Sequence, residues 1–269
     1  MTSAADRLDL AVTELGAGPP LVVLHGLLGR SRNWLTIAQN LQEKHTLLLA
    51  DLRNHGASPW SEVMDYPAMA GDVAALIERR AGGRATVLGH SMGGKVAITL
   101  ALTRPELVER LIVADIAPVA YPGSAFDGYI RAMLALDLDT VTRRAEADKA
   151  LTAAVPEPAI RGFLLQNLDF ARGERPVWQP NLATLLRTLP QITGFPAELA
   201  GRTYDGPAFC LRGERSDYVD GEGEAALRRF LPSVQVATVT GAAHWLHAEK
   251  PAEFLERLNG SLESKWCIR

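Results

Sequence analysis

Cysteine is almost missing from this sequence. Two residues in 269, Cys210 and Cys267, are too few for a disulfide framework. Cys210 sits in an apolar run and reads as a buried thiol; Cys267 lies in a short polar tail and reads as exposed. No stretch reaches the roughly 18 consecutive apolar residues of a membrane helix. The first ten residues carry acids and no apolar core, which argues against a secretory signal. Basic runs are missing too: acids and bases are interspersed to a net charge of −3, so there is no footprint for nucleic acid. Neither an internal repeat nor a low-complexity segment interrupts the chain. These absences leave a cytoplasmic enzyme or binding protein whose partner is a small molecule; its oligomeric state is open.

Short apolar, β-rich runs alternate with segments of helical period, the pattern of a mostly parallel sheet flanked by helices. The strand candidates are Leu21–Leu24, Thr46–Ala50, Ala85–Leu88, Leu111–Ala114, Ala208–Leu211 and Val234–Val239. Asp6 to Gly16 reads as an antiparallel opening hairpin or edge strand. Met69, Val73, Leu76 and Ile77 share one helical face, and Phe254, Leu255, Leu258 and Leu262 another, behind Pro251 in a first turn. Between 118 and 202 the pattern changes. Helical segments Tyr129–Leu136, Leu138–Ala154 and Leu182–Leu189 follow one another without a convincing strand, separated by turns at 157–158 and 172–176. The expected organisation is therefore a core formed by residues 1–118 and 203–269, with 119–202 inserted as a helical cap over the sheet's carboxyl edge.

Residues 89–93 read Gly-His-Ser-Met-Gly, a G-x-S-x-G motif that follows an apolar strand and opens a helical pattern. That strand–turn–helix setting presents a serine on a sharp turn at the sheet edge, and it makes Ser91 the candidate nucleophile. The glycines are expected where a side chain would collide with neighbouring backbone. Acyl transfer also needs two amide donors where negative charge develops. One is expected from Met92, after the nucleophile, and the other from Leu27 in His25-Gly26-Leu27-Leu28-Gly29, directly after an early strand.

Six histidines could serve as base. His244, in the turn after the strand Val234–Val239 and before the last helix, stands where a nucleophile-first, histidine-last order requires. His90 is expected to point to the other side of the elbow. His25 is expected to brace the oxyanion loop beside the substrate, His55 to lie in a turn, His45 to be solvated and His247 to pack near the last helix. The base needs a carboxylate to fix its tautomer. Asp115, at the end of Leu111–Ala114, is favoured; Asp217, in Gly213-Glu214-Arg215-Ser216-Asp217, is the alternative, one residue beyond the usual spacing.

Taken together, H-G-L-L-G at 25–29, D-L-R-N-H-G-A-S-P at 51–59, Y-P-A-M-A-G-D at 66–72, G-H-S-M-G-G-K at 89–95, D-I-A-P-V at 115–119 and G-A-A-H-W-L-H-A-E-K-P at 241–251 resemble the YbfF-type esterases of the α/β-hydrolase superfamily. The resemblance spans the sheet domain; the cap matches only in general character. It implies an α/β-hydrolase fold with a mostly parallel eight-stranded sheet and a helical lid. It also implies an esterase or thioesterase for small to medium acyl groups, working without metal or cofactor. It favours Asp115 as the acid, because a serine commonly stands where Ser216 stands. Trp245, with His25 and Leu28, is expected near the substrate, while Asp51, Arg53, His55 and Gly56 are expected to hold the loop beside the oxyanion site. The competing functions are a C–C bond hydrolase of ring-cleavage diketones, which uses the same nucleophile motif, and a non-catalytic ligand-binding protein of the same fold.

Overall fold

The computed structural model describes residues 7–170 and 175–264. Cys267, Asp6 and the first residues of the 172–176 turn lie outside these. Seven strands form one sheet: β1 (Val12–Leu15), β2 (Pro20–Leu24), β3 (Thr46–Ala50), β4 (Ala85–His90), β5 (Val108–Ala114), β8 (Ala208–Gly213) and β9 (Gln235–Val239). Their order is β1-β3-β2-β4-β5-β8-β9, with β1 antiparallel to β3 and all other pairs parallel. The expected eighth strand is not present among the described residues, and of the opening segment only the edge strand β1 forms. The physical reason lies in the residues before β1. The Leu8 amide donates to Asp72 Oδ1 (2.7 Å) and the Ala11 amide to Ser58 Oγ (2.8 Å), so these backbone donors are engaged by side chains and not by a neighbouring strand.

Sheet faces explain the uninterrupted apolar runs. Leu21, Val23, Leu47 and Leu49 pack with Trp34, Phe254 and Leu258 on one side, against α1 (Leu35–Leu41) and α11 (Pro251–Glu263). Val22, Leu24, Leu48 and Ala50 pack on the other, against α2 (Tyr66–Arg80) and α3 (Met92–Thr103). Both faces are buried, so the period-two alternation distributes hydrophobic residues between two cores. Asp65 caps α2 by accepting from the Ala68 amide at 2.8 Å. A fully buried Arg53–Asp72 pair, with bonds of 2.7 and 2.8 Å, ties the loop after β3 to the same helix.

Between β5 and β8 the chain forms α4 (Phe126–Ala135), α5 (Arg144–Leu151), α6 (Pro158–Leu164), a ribbon of β6 (Leu168–Asp169) and β7 (Val177–Trp178), α7 (Leu182–Arg187) and α8 (Leu189–Thr193). Several details depart from the sequence reading. The long helix expected over 138–154 starts only at Arg144, because Asp137 accepts from the Asp139 amide and the Thr140 hydroxyl and so holds a turn. Pro158 starts a helix where a turn was expected. The helix expected over 182–189 is two, broken at Thr188 just ahead of Pro190. The two-residue ribbon is a pairing that periodicity cannot reveal.

This helical block has a small core of its own, of Val141, Ala147, Leu151, Leu165 and Leu168. Its stems are held by Lys95 on α3, whose buried ammonium donates to the carbonyls of Val119 (2.7 Å), Thr193 (3.1 Å) and Gly194 (2.7 Å). Burial lowers the Lys95 pKa to about 7. No described helix is long and apolar enough to cross a membrane.

Candidate active site

Chain order reverses between β2 and β4: β3 lies to one side of β2, while β4, β5, β8 and β9 follow on the other. The loops leaving the carboxyl ends at such a point diverge and leave a crevice. Here the crevice receives the loop after β2, the turn after β4 and the loops after β5 and β9.

Ser91 occupies the turn between β4 and α3 at φ 53° and ψ −121°, a conformation that costs a non-glycine residue free energy and that the surrounding packing must hold. Its amide donates to the Ala114 carbonyl at 3.0 Å. A Cβ on Gly89 would sit 2.1 Å from the Gly93 carbonyl oxygen, and one on Gly93 would sit 2.5 Å from that of Leu24. Backbone thus approaches backbone on both sides of the serine, which only glycine permits. Four described non-glycine residues have positive φ: Leu28, Asn54, Ser91 and Asp115. Asp115 and Ser91 are joined through one histidine.

His244 Nε2 lies 3.0 Å from Ser91 Oγ, and His244 Nδ1 lies 2.8 Å from Asp115 Oδ2. Asp115 is fully buried and also accepts from the Gly213 amide (2.8 Å) and from the Ser216 hydroxyl. The structure therefore brings Asp115 to the histidine, whereas Asp217 is exposed. Ser216, standing where an acid would commonly stand, donates to Asp115 instead. The Tyr218 ring stacks on the His244 imidazole with centroids 3.9 Å apart and planes 17° apart, a contact sequence reasoning missed. Only its nearness to Ser216 could have signalled it.

Met92 opens α3 directly after Ser91, with no side chain capping the helix, so the positive end of the helix dipole faces the serine. Leu27 and Ser91 line the same cavities. The loop that carries Leu27 is braced by two histidines in the same tautomer. The Leu52 amide donates to His25 Nε2 (3.0 Å), and the His25 Nδ1–H donates to the Gly26 carbonyl (2.8 Å). The Leu28 amide donates to His55 Nε2 (3.1 Å), and the His55 Nδ1–H donates to the Arg53 carbonyl (2.9 Å). Asp51 holds the flanks, accepting from the Ser31 amide (2.6 Å) and the Ala57 amide (2.9 Å).

His90 is buried beneath the site and donates through Nε2 to the carbonyl of His244 (2.8 Å), which steadies the loop carrying that residue. His247 stacks on Trp34 at 4.2 Å and 9°. His45 is half-buried.

Four of these imidazoles are neutral by burial. Desolvation lowers the pKa of His25, takes His90 well below its ordinary value and takes His55 and His247 to about 3. An unfolded chain binds those protons from about pH 6.5 downward. The folded protein binds those of His55 and His247 only near pH 3, so unfolding takes up protons across that window and stability falls as pH is lowered. With the two protons of His55 and His247 the slope approaches about 2.7 kcal/mol per pH unit. The unfolding midpoint in urea, followed from pH 7.5 to pH 4.5, is expected to fall steeply below pH 6.5. A flat profile to pH 4.5 would contradict it.

A wide cleft of about 1180 Å³ opens in front of Ser91, lined among others by His25, Phe163, His244 and Trp245. A second cavity, of about 40 Å³, also borders the serine, among Leu27, Met92, Ile116, Tyr121 and Ile192. Trp245 thus lines the wide cleft. His25 touches it while both its ring nitrogens are engaged by backbone, and Leu28 is buried and lines neither space. Among the described residues no group of three histidine, cysteine, aspartate or glutamate side chains could hold a metal ion.

Comparison with known proteins gives this geometry its context. The chain is 40% identical over 254 residues to the sn-1-specific diacylglycerol lipase ABHD11 of Xenopus laevis, covering 92% of this chain and 80% of that one. It is 34% identical over 239 residues to the esterase YbfF of Escherichia coli, covering 89% and 91%. A solved structure of a marine microorganism esterase superposes with a TM-score of 0.90 at 32% identity, over 94% of this chain and 98% of that one. Residues 19–251 match the α/β hydrolase fold family, and the chain belongs to that family, with YbfF-type esterases among its relatives.

Proposed function

We propose that this protein is a carboxylesterase-type hydrolase that cleaves carboxylic esters and thioesters through an acyl-serine at Ser91. The observation that carries this reading is the hydrogen-bonded run from Ser91 Oγ through His244 to Asp115, at 3.0 and 2.8 Å. Relatives named esterase and lipase support ester hydrolysis.

In the proposed cycle His244 Nε2 takes the Ser91 proton as Oγ bonds to the carbonyl carbon. The oxyanion is held by the amides of Leu27 and Met92, each worth about 10²–10³ in rate. Asp115 keeps the second proton on Nδ1, so Nε2 is free to accept, and it stabilises the imidazolium that results. The bond to the leaving oxygen or sulfur then breaks and His244 returns the proton to it. Water, deprotonated by the same nitrogen, attacks the acyl carbon; the bond to Ser91 Oγ breaks, His244 returns the proton to Oγ, and the acid leaves. Residues 119–202 act as the lid over this site.

An alkyl fluorophosphonate tests the nucleophile. The serine oxygen bonds to phosphorus, fluoride leaves, and His244 takes the proton. Stoichiometric labelling of the Ser91 peptide by mass spectrometry is expected, with parallel loss of ester turnover. Labelled protein that keeps full turnover would overturn the assignment.

A further inference from the structure

Two spaces of very different size meet at Ser91, one of about 1180 Å³ and one of about 40 Å³. A tetrahedral carbon on Ser91 carries an oxyanion, a leaving group and an acyl substituent. The oxyanion direction is taken by the amides proposed above. The leaving atom must receive its proton from His244 Nε2, so the leaving group extends on the side that His244 lines. That side is the wide cleft, which His244, Trp245 and Phe163 border. The small cavity is bordered by Met92, Ile116 and Tyr121 and not by His244, and it is the space left for the acyl substituent.

We propose that the small cavity between α3 and the stems of the helical block is the acyl subsite, and that the protein selects acyl groups of two to four carbons carried on large leaving groups. The assignment rests on the acyl-serine reading above. A water-sized occupant needs about 10–15 Å³ of cavity measured in this way, so about 40 Å³ admits on the order of three non-hydrogen atoms beyond the carbonyl carbon.

The far wall is firm. Lys95 borders the cavity with all three ammonium protons engaged by the carbonyls of Val119, Thr193 and Gly194, and its charge lies over the Tyr121 ring at 4.7 Å. Ile192 stands beside it, its carbonyl accepting from the Tyr66 hydroxyl at 2.5 Å. A longer alkyl chain would have to part those bonds, leaving a buried ammonium unsatisfied. The leaving group meets no such wall, because the cleft beside His244 and Trp245 has about thirty times the volume.

Two ester series separate the sides. With p-nitrophenol as the constant leaving group, kcat/KM is expected to stay within about tenfold from acetate to butyrate and to fall at least about 100-fold by octanoate. With acetate as the constant acyl group, lengthening the alcohol from ethyl to octyl is expected to leave kcat/KM unchanged or higher. Ile192→Ala enlarges the cavity and should raise octanoate relative to acetate by at least about tenfold. The wild-type series is read independently of that variant. Octanoate turned over as fast as acetate, by protein whose Ser91 takes the fluorophosphonate, would overturn the subsite assignment alone. No turnover of any ester and no labelling would strike the acyl-serine reading beneath it.

Discussion

Ser91→Ala is expected to lower kcat for a short-chain p-nitrophenyl ester by about 10⁶-fold, since nucleophile and base act as one unit and losing either removes nearly all the gain they supply together. Some rate over water, about 10³–10⁴-fold, should persist from binding and from the oxyanion amides. The substitution deletes one oxygen at a site where the backbone is already held, and removes the Ser91 Oγ bond to His244. Alanine at φ 53° is no more strained than serine there, so the fold is expected to survive, and a near-native unfolding midpoint is the control. Stopped-flow release of p-nitrophenolate makes the comparison. Full activity in folded Ser91→Ala protein would end the acyl-serine mechanism and return weight to C–C bond hydrolysis or ligand binding.

Asp115→Asn carries the second largest effect, about 10⁴-fold in kcat. Asparagine keeps the shape but offers an amide N–H or a weaker acceptor to His244 Nδ1, which favours the wrong tautomer and withdraws the charge that stabilises the imidazolium. Two other donors, the Gly213 amide at 2.8 Å and the Ser216 hydroxyl, also converge on this carboxylate, so some stability should be lost with it. Asp217→Asn is the matched control. Its carboxylate is exposed, and kcat should remain within about twofold of wild type, as surface substitutions usually do. A reversal of the two results would move the acid to Asp217 and require the loop after β8 to rearrange in solution.

The difference in how well these residues could be read from sequence has a physical basis. Ser91 is announced by a motif five residues long, because a Cβ on Gly89 would come 2.1 Å from the Gly93 carbonyl oxygen and one on Gly93 2.5 Å from that of Leu24. His244 follows from its place after the last strand. Asp115 is a different matter: the direction of its carboxylate is set by donors 98 and 101 residues away and by a positive φ that no local pattern signals. His90 and His247 likewise look like neighbours of motifs, and their bracing of the His244 loop and of Trp34 emerges only when β4, β9 and α10 (Leu246–Glu249) converge.

The fold divides in the same way. Central strands buried on both faces show as uninterrupted apolar runs, and all five of them, with the edge strand β9, lie within a few residues of their expected positions. The helical block was less legible, since Asp137, Pro158 and Pro190 act through capping and broken hydrogen bonds that periodicity does not weigh. The edge of the sheet escaped for a related reason: side chains of Asp72 and Ser58 take the amides that a further strand would have used.

The three carbonyls gathered by Lys95 belong to the main chain at Val119, Thr193 and Gly194. An ammonium that recognises peptide oxygens places little demand on the side chains of the intervening 73 residues, 120 to 192 inclusive, beyond the Tyr121 ring beside it. The attachment therefore works as a socket for main chain. A different helical block would keep this anchor, but it would also have to replace Asn167, whose side chain donates to the Leu28 carbonyl at 2.8 Å.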